Sequence, residues 1–561
     1  MPWSSRWQVS TPTCSLLDYL FTSSTAVLSG QPILLDADRP EYHLTLHTYR
    51  EWSKRLAAGL RQRGFKPGDR LLLYSGNTIF FPVVMMGTIA AGGVFTAANP
   101  SYVPRELAYQ LKDSGAMFLI TAEGSLATSL EAAKSIDFPQ DRIFVFDDGY
   151  NTFDNRGRSV QNISHWSRLL APPQEAATFE WPTFHSREQM DITTAVINYS
   201  SGTTGVPKGV EITHTNYVAN CVQTAYMASL APDYEEKHST AKLLSFLPMY
   251  HAYGQTAHCV SSPSRGTPLY IMRKYDFLKM LAHVQKYRIT GLNLVPPIAV
   301  ALSKRPEVKD YDISSLEAAG CGAAPLGRES VAEFDRVVTK GRFRLRQGWG
   351  MTEITCSAIG WDPRLEMDSG AVGELNPNIE GMFVDEEGRE VAHGLSGEFW
   401  VKGPNVMKGY WRKPEATKET VTDDGWLKTG DIGYRDQDGL IYIIDRKKEL
   451  IKVKANQVAP AELESLLLDH PAVQDAAVVG VTINGEELPR AYIVLQEQQR
   501  VSPQEIAKWL ASQVAPHKRL AGGVQMTDAI PKNPSGKILR KILRERAVIE
   551  VGDGAVRDSK L

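Results

Sequence analysis

The string SSGTTGVPKGV, Ser200 to Val210, follows the apolar run TTAVINY at 193–199. A buried strand that opens into a turn rich in glycine, hydroxyls and lysine is suited to hold an anion. Gly202 and Gly205 permit a backbone that aims its N–H groups at a charge. The hydroxyls of Ser200, Ser201, Thr203 and Thr204 add donors, and Lys208 adds a cation within reach. The string reads as a phosphate cradle. It lacks the G-x-x-x-x-G-K-[ST] spacing, which counts against a Walker-type NTPase. A plain surface turn is the alternative, and the density of chemistry over eleven residues argues against it.

Working outward, RLLLYSG (70–76), AMFLITA (116–122), RIFVFDD (142–148) and LLSFLP (243–248) are short apolar runs bounded by turn residues. They read as buried strands. Helical patterns at Tyr49 to Gln62 and Pro104 to Lys112 lie between them, the alternation of α/β layers with parallel strands. From about Gly370, short strand patterns with glycine turns (SGEFWVKG, DGLIYIID) indicate a β-rich subdomain. A smaller α+β unit follows: helical Pro460 to Leu468, strands AAVVGV (476–481) and AYIVLQ (491–496), then helical Pro503 to Gln513. The expected organisation is a large N-terminal domain, 1–445, of layered α/β sheets plus a β-rich part. A small mobile C-terminal domain, 446–561, completes it.

The chain has 561 residues, 62 basic against 64 acidic, and a net charge of −2. No whole-protein positive field exists to hold nucleic acid. Five scattered cysteines without a C-x-x-C pair give neither a disulfide framework nor a zinc site. The uncharged run Ile79 to Ala98 is long enough to raise the question of a membrane helix. Its Pro82, Gly87, Gly92 and Gly93 favour a buried helix and strand instead, so no membrane span is expected. The chain ends Ser559-Lys560-Leu561, a peroxisomal address read by an import receptor.

Further strings carry chemistry. LPMYHAYG (247–254) puts His251 at the end of a strand-like run, where α/β sheets bind ligands. GCGAAPLG (320–327) offers small residues that let backbone approach a planar group. QGWGMTE (347–353) joins an aromatic ring, a hydroxyl and a carboxylate. TGD (429–431), DRKKELIKVKANQVAP (445–460) and PKNPSGKILRK (531–541) complete the set. In this order the strings resemble the adenylate-forming superfamily of acyl-CoA synthetases, firefly luciferase and non-ribosomal-peptide adenylation domains. The chain is most similar to 4-coumarate–CoA ligases and fungal acyl- or aryl-CoA ligases, over about residues 40–545.

The resemblance implies a two-step ligase. A carboxylic acid attacks ATP to give acyl-AMP and pyrophosphate, and coenzyme A then displaces AMP. Ser200 to Gly205 and Lys208 would hold phosphates, with Gln347, Gly348, Trp349 and Thr352 around the nucleotide. Trp349 stands where Tyr is usual, and either ring can stack on adenine. Glu353 would hold Mg²⁺, and Asp431 and Arg446 would contact the nucleotide. Tyr253, Ala257, Gly322 and Ala323 would line the acyl pocket, with His251 beside the acyl carboxylate. Lys537 would be the adenylation lysine. The small domain would then turn about Lys448 to present Lys452 and Gln457 for thioester formation. Lys274, Lys454 and Ala455 would lie toward CoA, and Ala455 replaces a usual Gly beside the pantetheine path. The acid itself stays open between aryl (cinnamate- or phenylacetate-like) and medium-chain groups. Delivery to a carrier protein, a luciferase-like oxygenase, or a catalytically inactive peroxisomal relative are the alternatives.

Overall fold

The strands Arg70–Tyr74, Ala116–Ala122 and Ile143–Phe146 lie side by side in parallel in an eight-stranded sheet. This computed structural model describes residues 2–22, 30–146, 152, 157–200, 207–365, 370–454, 456–483, 485–497, 499–533 and 536–557. Ser201, Gly202, Thr203, Thr204 and Gly205, Ala455, and the terminal Ser559 to Leu561 lie outside the described residues. In sheet order the strands are 409–410, 208–213, 194–200, 94–98, 70–74, 116–122, 143–146 and 164–165. Strand Leu71–Tyr74 is buried throughout, as a central parallel strand covered on both faces must be. The cradle's flanking strands, Thr194–Ser200 and Lys208–Thr213, pair antiparallel, with Ser200 opposite Lys208.

A second sheet of seven strands runs 345–347, 318–321, 291–294, 243–245, 269–271, 32–36 and 43–45. It is parallel except at its last pair. A five-stranded antiparallel sheet carries 3–4, 380–384, 397–402, 427–435 and 441–446, the β-rich part anticipated after Gly370. Its first strand comes from the extreme N-terminus: Trp3 pairs with Gly381.

Helix Leu46–Gln62 starts at a Thr45–Thr48 capping box and buries Leu46, Tyr49, Leu56, Ala57 and Leu60. Against it packs helix Phe81–Ala90, every residue of which is buried. Gly87 makes the approach possible, since a Cβ there would lie 2.8 Å from Leu56 Cβ. Ten residues give a helix of about 15 Å, half the thickness of a bilayer core. Among the described residues no helix is long and apolar enough to cross a membrane. The run Ile79 to Ala98 is thus a core helix followed by the buried strand Val94–Ala98.

After Arg446 the chain forms the ladder Ile451–Val453 with Asn456–Val458 and the long hairpin Val473–Ile483 with Glu486–Leu495. Helices Pro460–Asp469, Pro503–Ala511 and Arg540–Arg557 accompany them. Two apolar clusters, one around Leu463, Val478 and Ile493 and one around Val479, Tyr492 and Leu543, belong to this region alone. Its basic C-terminal helix is internally paired. Arg540 holds Glu464 through two hydrogen bonds of 2.6 and 2.8 Å, Arg544 meets Glu449, and Arg546 Nε meets Glu550 at 2.6 Å. Those three cations pair with carboxylates of the same region.

Candidate functional site

The hairpin Leu427–Arg435/Ile441–Arg446 sets Asp431 directly opposite Arg446. Arg446 Nε lies 3.0 Å from Asp431 Oδ1, and Trp349 Nε1 donates to Asp431 Oδ2 at 2.7 Å. The Trp349 ring is buried edge-on to Phe399, centroids 5.2 Å apart. A carboxylate offers about four lone-pair positions, so Asp431 keeps acceptor capacity beyond these two partners. A tyrosine at 349 has no indole N–H to donate from that place. The Trp departure therefore couples the ring to the Asp431 carboxylate.

Trp349 is carried on the loop that leaves strand Leu345–Gln347. Gln347 Oε1 accepts from Leu326 N at 2.9 Å, and Gly348 N donates to Cys321 O at 2.8 Å. These bonds stitch the 320–327 string to the 347–353 string. Gly322 sits against Tyr253, whose Cε1 would be 3.6 Å from a Cβ at 322. Ala323 adopts φ +74°, a left-handed conformation strained for a residue with a Cβ.

Glu353 lies in the single turn Thr352–Ile354 and is buried. Tyr410 Oη donates to its Oε1 at 2.9 Å, and the Lys208 ammonium sits 4.7 Å from the centroid of the Tyr410 ring. Tyr410 thus joins the lysine of the cradle to the carboxylate, one through its face and the other through its hydroxyl. Sequence reasoning did not single it out. Its only signal is a Gly409-Tyr410 pair whose strand docks on Val210 and Glu211. The cradle's flanks are braced too: Tyr109 Oη donates to Pro207 O at 2.9 Å, and Tyr199 Oη donates to Asp113 at 2.7 Å.

Lys537 comes from the far end of the chain. A turn in which Gly536 N donates to Asn533 O at 2.8 Å and Lys537 N to Asn533 Oδ1 at 2.9 Å presents it. Gly536, at φ +83°, packs on Val295 and Pro297 of the seven-stranded-sheet region. Burial, aided by Arg446 and against the pull of Asp431 and Glu353, lowers the ammonium's pKa to about 8. His251 has its pKa lowered to about 4, by burial first and then by Lys537, so it is neutral at physiological pH. Lys537 therefore feels the charges of Arg446, Asp431 and Glu353, and His251 feels that of Lys537.

Other expected residues stand elsewhere. Lys452 and Gln457 pair across their short ladder and are exposed, as are Lys448 and Lys454. Lys274 is exposed on the turn before helix Phe277–Tyr287. Ala257 is half-buried in the π-helical segment Gln255–Ser261, and Thr352 is half-buried beside Glu353. Among the described residues no cluster of three His, Cys, Asp or Glu forms a metal cage. A single buried carboxylate with one oxygen bonded to Tyr410 fits Mg²⁺ that arrives with substrate phosphates and keeps waters.

The sequence profile of the AMP-binding enzyme family matches residues 23–411, and that of the AMP-binding enzyme C-terminal domain matches 462–537. A phenylacetyl-CoA ligase, epaB, of Aspergillus niger is 34% identical, covering 95% of this chain and 97% of its own. A peroxisomal OPC-8:0-CoA ligase 1 of Arabidopsis thaliana is 35% identical, covering 96% and 95%. Among solved structures, ATP-bound MatB of Rhodopseudomonas palustris is similar at a TM-score of 0.78 and 27% identity, over 95% of this chain and 98% of that one.

Proposed function

The chain belongs to the AMP-binding enzyme family and is an AMP-forming acid–thiol ligase, and we propose that it makes aryl- or medium-chain acyl-CoA through an acyl-AMP formed in the cleft around Lys537. The observation that carries this reading is the convergence of Lys537, His251, Glu353, Asp431 and Arg446 from distant parts of the chain. In the first half-reaction the acid's carboxylate attacks the α-phosphorus of ATP and pyrophosphate leaves. Such a step asks for positioning and charge neutralisation. The Ser200–Gly205 string and Lys208 take phosphate charge. Protonated Lys537 lies where charge grows on the carboxylate and α-phosphate. Mg²⁺ held by Glu353 would add neutralising charge to the phosphates. Neutral His251 orients the acyl carboxylate, and Trp349 with Asp431 receives adenosine.

In the second half-reaction the small region, 446–561, turns about Lys448, withdrawing Lys537 and presenting Lys452 and Gln457. The CoA thiol attacks the activated carbonyl and AMP leaves. Support for a separate moving unit comes from the apolar clusters confined to it. Exposed Lys452 and Gln457, with Lys537 turned toward Asp431 and Glu353, support the first pose. Lys274 and Lys454 are the cations assigned to the CoA phosphates. The string Ser559-Lys560-Leu561 and the peroxisomal Arabidopsis relative support a peroxisomal location. Incubation with a panel of acids, ATP and CoA, read by mass spectrometry, tests the reading. Acyl-CoA is expected; acyl-AMP alone would move the acceptor to a carrier protein.

A further inference from the structure

The helix Pro296–Lys304 of the large domain touches the small region at both of its ends. At its start, Val295 and Pro297 receive Gly536, the residue before Lys537. At its other end, about 13 Å along the axis, Lys304 Nζ donates to Leu468 O at 2.6 Å. Leu468 lies in the last turn of the helix Pro460–Asp469, where unpaired carbonyls favour a cation. Beside that contact the helix Arg328–Phe334 meets the same helix. Gly327 leaves no room for a Cβ against Ser465 Oγ, and the Glu329 and Asp469 side chains are hydrogen-bonded to each other. One nine-residue helix therefore ties the seat of Lys537 to a second contact, made by Lys304, Glu329 and Asp469.

Two ionised carboxylates offer acceptors only, so a bond between Glu329 and Asp469 needs a proton on one of them. Burial, then the charge of Glu329 and the bond to it, push the Asp469 pKa up to about 7 against the pull of Lys304. Glu329 is exposed, which keeps that proton in exchange with the medium. The neighbouring charges are as follows. Lys304 feels Asp469 and also Glu333, which is bonded to Arg336. His470, next along the chain, has its pKa lowered by burial and then by Lys304. Arg305 is held by Glu307 and feels Glu497 of the small region. We propose that Lys304, Glu329 and Asp469 are positioning residues of the first half-reaction: with a proton between the two carboxyls they seat the small region so that Lys537 stands in the cleft, and loss of that proton leaves two like charges in contact and favours the second half-reaction. Because the seated pose holds the proton, it is favoured below about pH 7 and loses ground as pH rises through that value.

The inference rests on the two-pose reading proposed above, and the experiment keeps the two apart. In the full-length enzyme, with phenylacetate and hexanoate as the acids, exchange of pyrophosphate into ATP reports the first half-reaction. Thioester formation from the synthetic acyl-AMP reports the second. The exchange-to-thioester ratio is taken about one pH unit either side of 7, in wild type and in Asp469→Asn. Dividing one enzyme by the other cancels the ionisation of the CoA thiol and of Lys537. The asparagine amide donates to Glu329 at either pH. Relative to Asp469→Asn, wild type is expected to lose about fivefold in the ratio from the lower pH to the upper, the weight of one hydrogen bond. Lys304→Met keeps the aliphatic stem and removes the donor to Leu468. It should lower exchange about fivefold at both pH values and leave thioester formation intact. A general loss of folding lowers both half-reactions together, so equal loss in Lys304→Met overturns the inference. An Asp469→Asn enzyme whose ratio tracks wild type at both pH values also overturns it. Hydrogen–deuterium exchange at the Gly536 and Lys537 amides needs no acid, and it should be faster in Lys304→Met than in wild type at the lower pH. Equal protection there overturns the inference, whereas faster exchange without reaction of either acid supports the seat and counts against the proposed chemistry alone.

Discussion

Two faces of the C-terminal region, Lys537 and the Lys452–Gln457 ladder, carry equally specific strings in the sequence and stand in opposite surroundings. Around Lys537 the cleft is buried and its charges are matched: Arg446 with Asp431, Glu353 with Tyr410, Trp349 with Asp431. The ladder faces solvent; Lys452 N donates to Glu487 at 2.9 Å, and the Lys452 and Gln457 side chains stay exposed. One small region thus turns Lys537 toward Asp431 and Glu353 and leaves the Lys452–Gln457 ladder at the surface. This is the disposition expected of a lid that serves two reactions in turn.

The comparison can be broken most directly at its buried side. Lys537→Ala should reduce acid-dependent exchange of pyrophosphate into ATP by about 10²–10³-fold, the scale of losing one preorganised charge. The same variant, given synthetic acyl-AMP, should still form thioester; equal loss in both steps would remove the division of labour. At the exposed side, Lys452→Ala should leave exchange near wild type and slow thioester formation by about 10²-fold, the scale of a misplaced positioning contact, read by single-turnover mass spectrometry. A smaller change sharpens the buried side: Trp349→Phe keeps a ring and removes the donor to Asp431. The KM for ATP should rise about tenfold, the weight of one hydrogen bond to a charged group, with acid KM unchanged.

The mildest effect is on pH. The Lys537 pKa is lowered to about 8 from its ordinary 10.5. Below that value the ammonium is charged, and above it the charge is lost. In exchange assays, kcat/KM for ATP should fall as pH rises through about 8, since this quantity reports free-enzyme ionisation. Stability moves the other way. Between about 8 and 10.5 the unfolded chain holds a proton the folded one has released, so the folded state gains as pH rises. Thermal melts of wild type against Lys537→Met, across that window, check the sign: only wild type should gain.

Much of this was legible because it is local. Leu71–Tyr74 or Ala116–Ala122 announce themselves as apolar runs since both faces of a central parallel strand are covered. The Pro460–Asp469 helix announces itself by its starting proline and its pattern. Trp3 pairing with Gly381 is not legible, because register between segments so far apart leaves no periodic trace. The site divides in the same way. Glu353 and Asp431 sit in strings whose order is distinctive. Tyr410 earns its place only through a contact across the fold. Arg540 looked like one more cation of a basic helix, and the fold makes it the partner of buried Glu464.

Gly536 sets a clearance. With φ +83° and room for a Cβ only 3.2 Å from Val295 Cγ2, the turn before Lys537 seats against the large domain with no slack for even a methyl group. In the two-step reading proposed above, shape at this one backbone position would set how closely Lys537 seats, while the charges around Lys537 would act once it is seated. Fit and charge would then be held by different atoms, one residue apart.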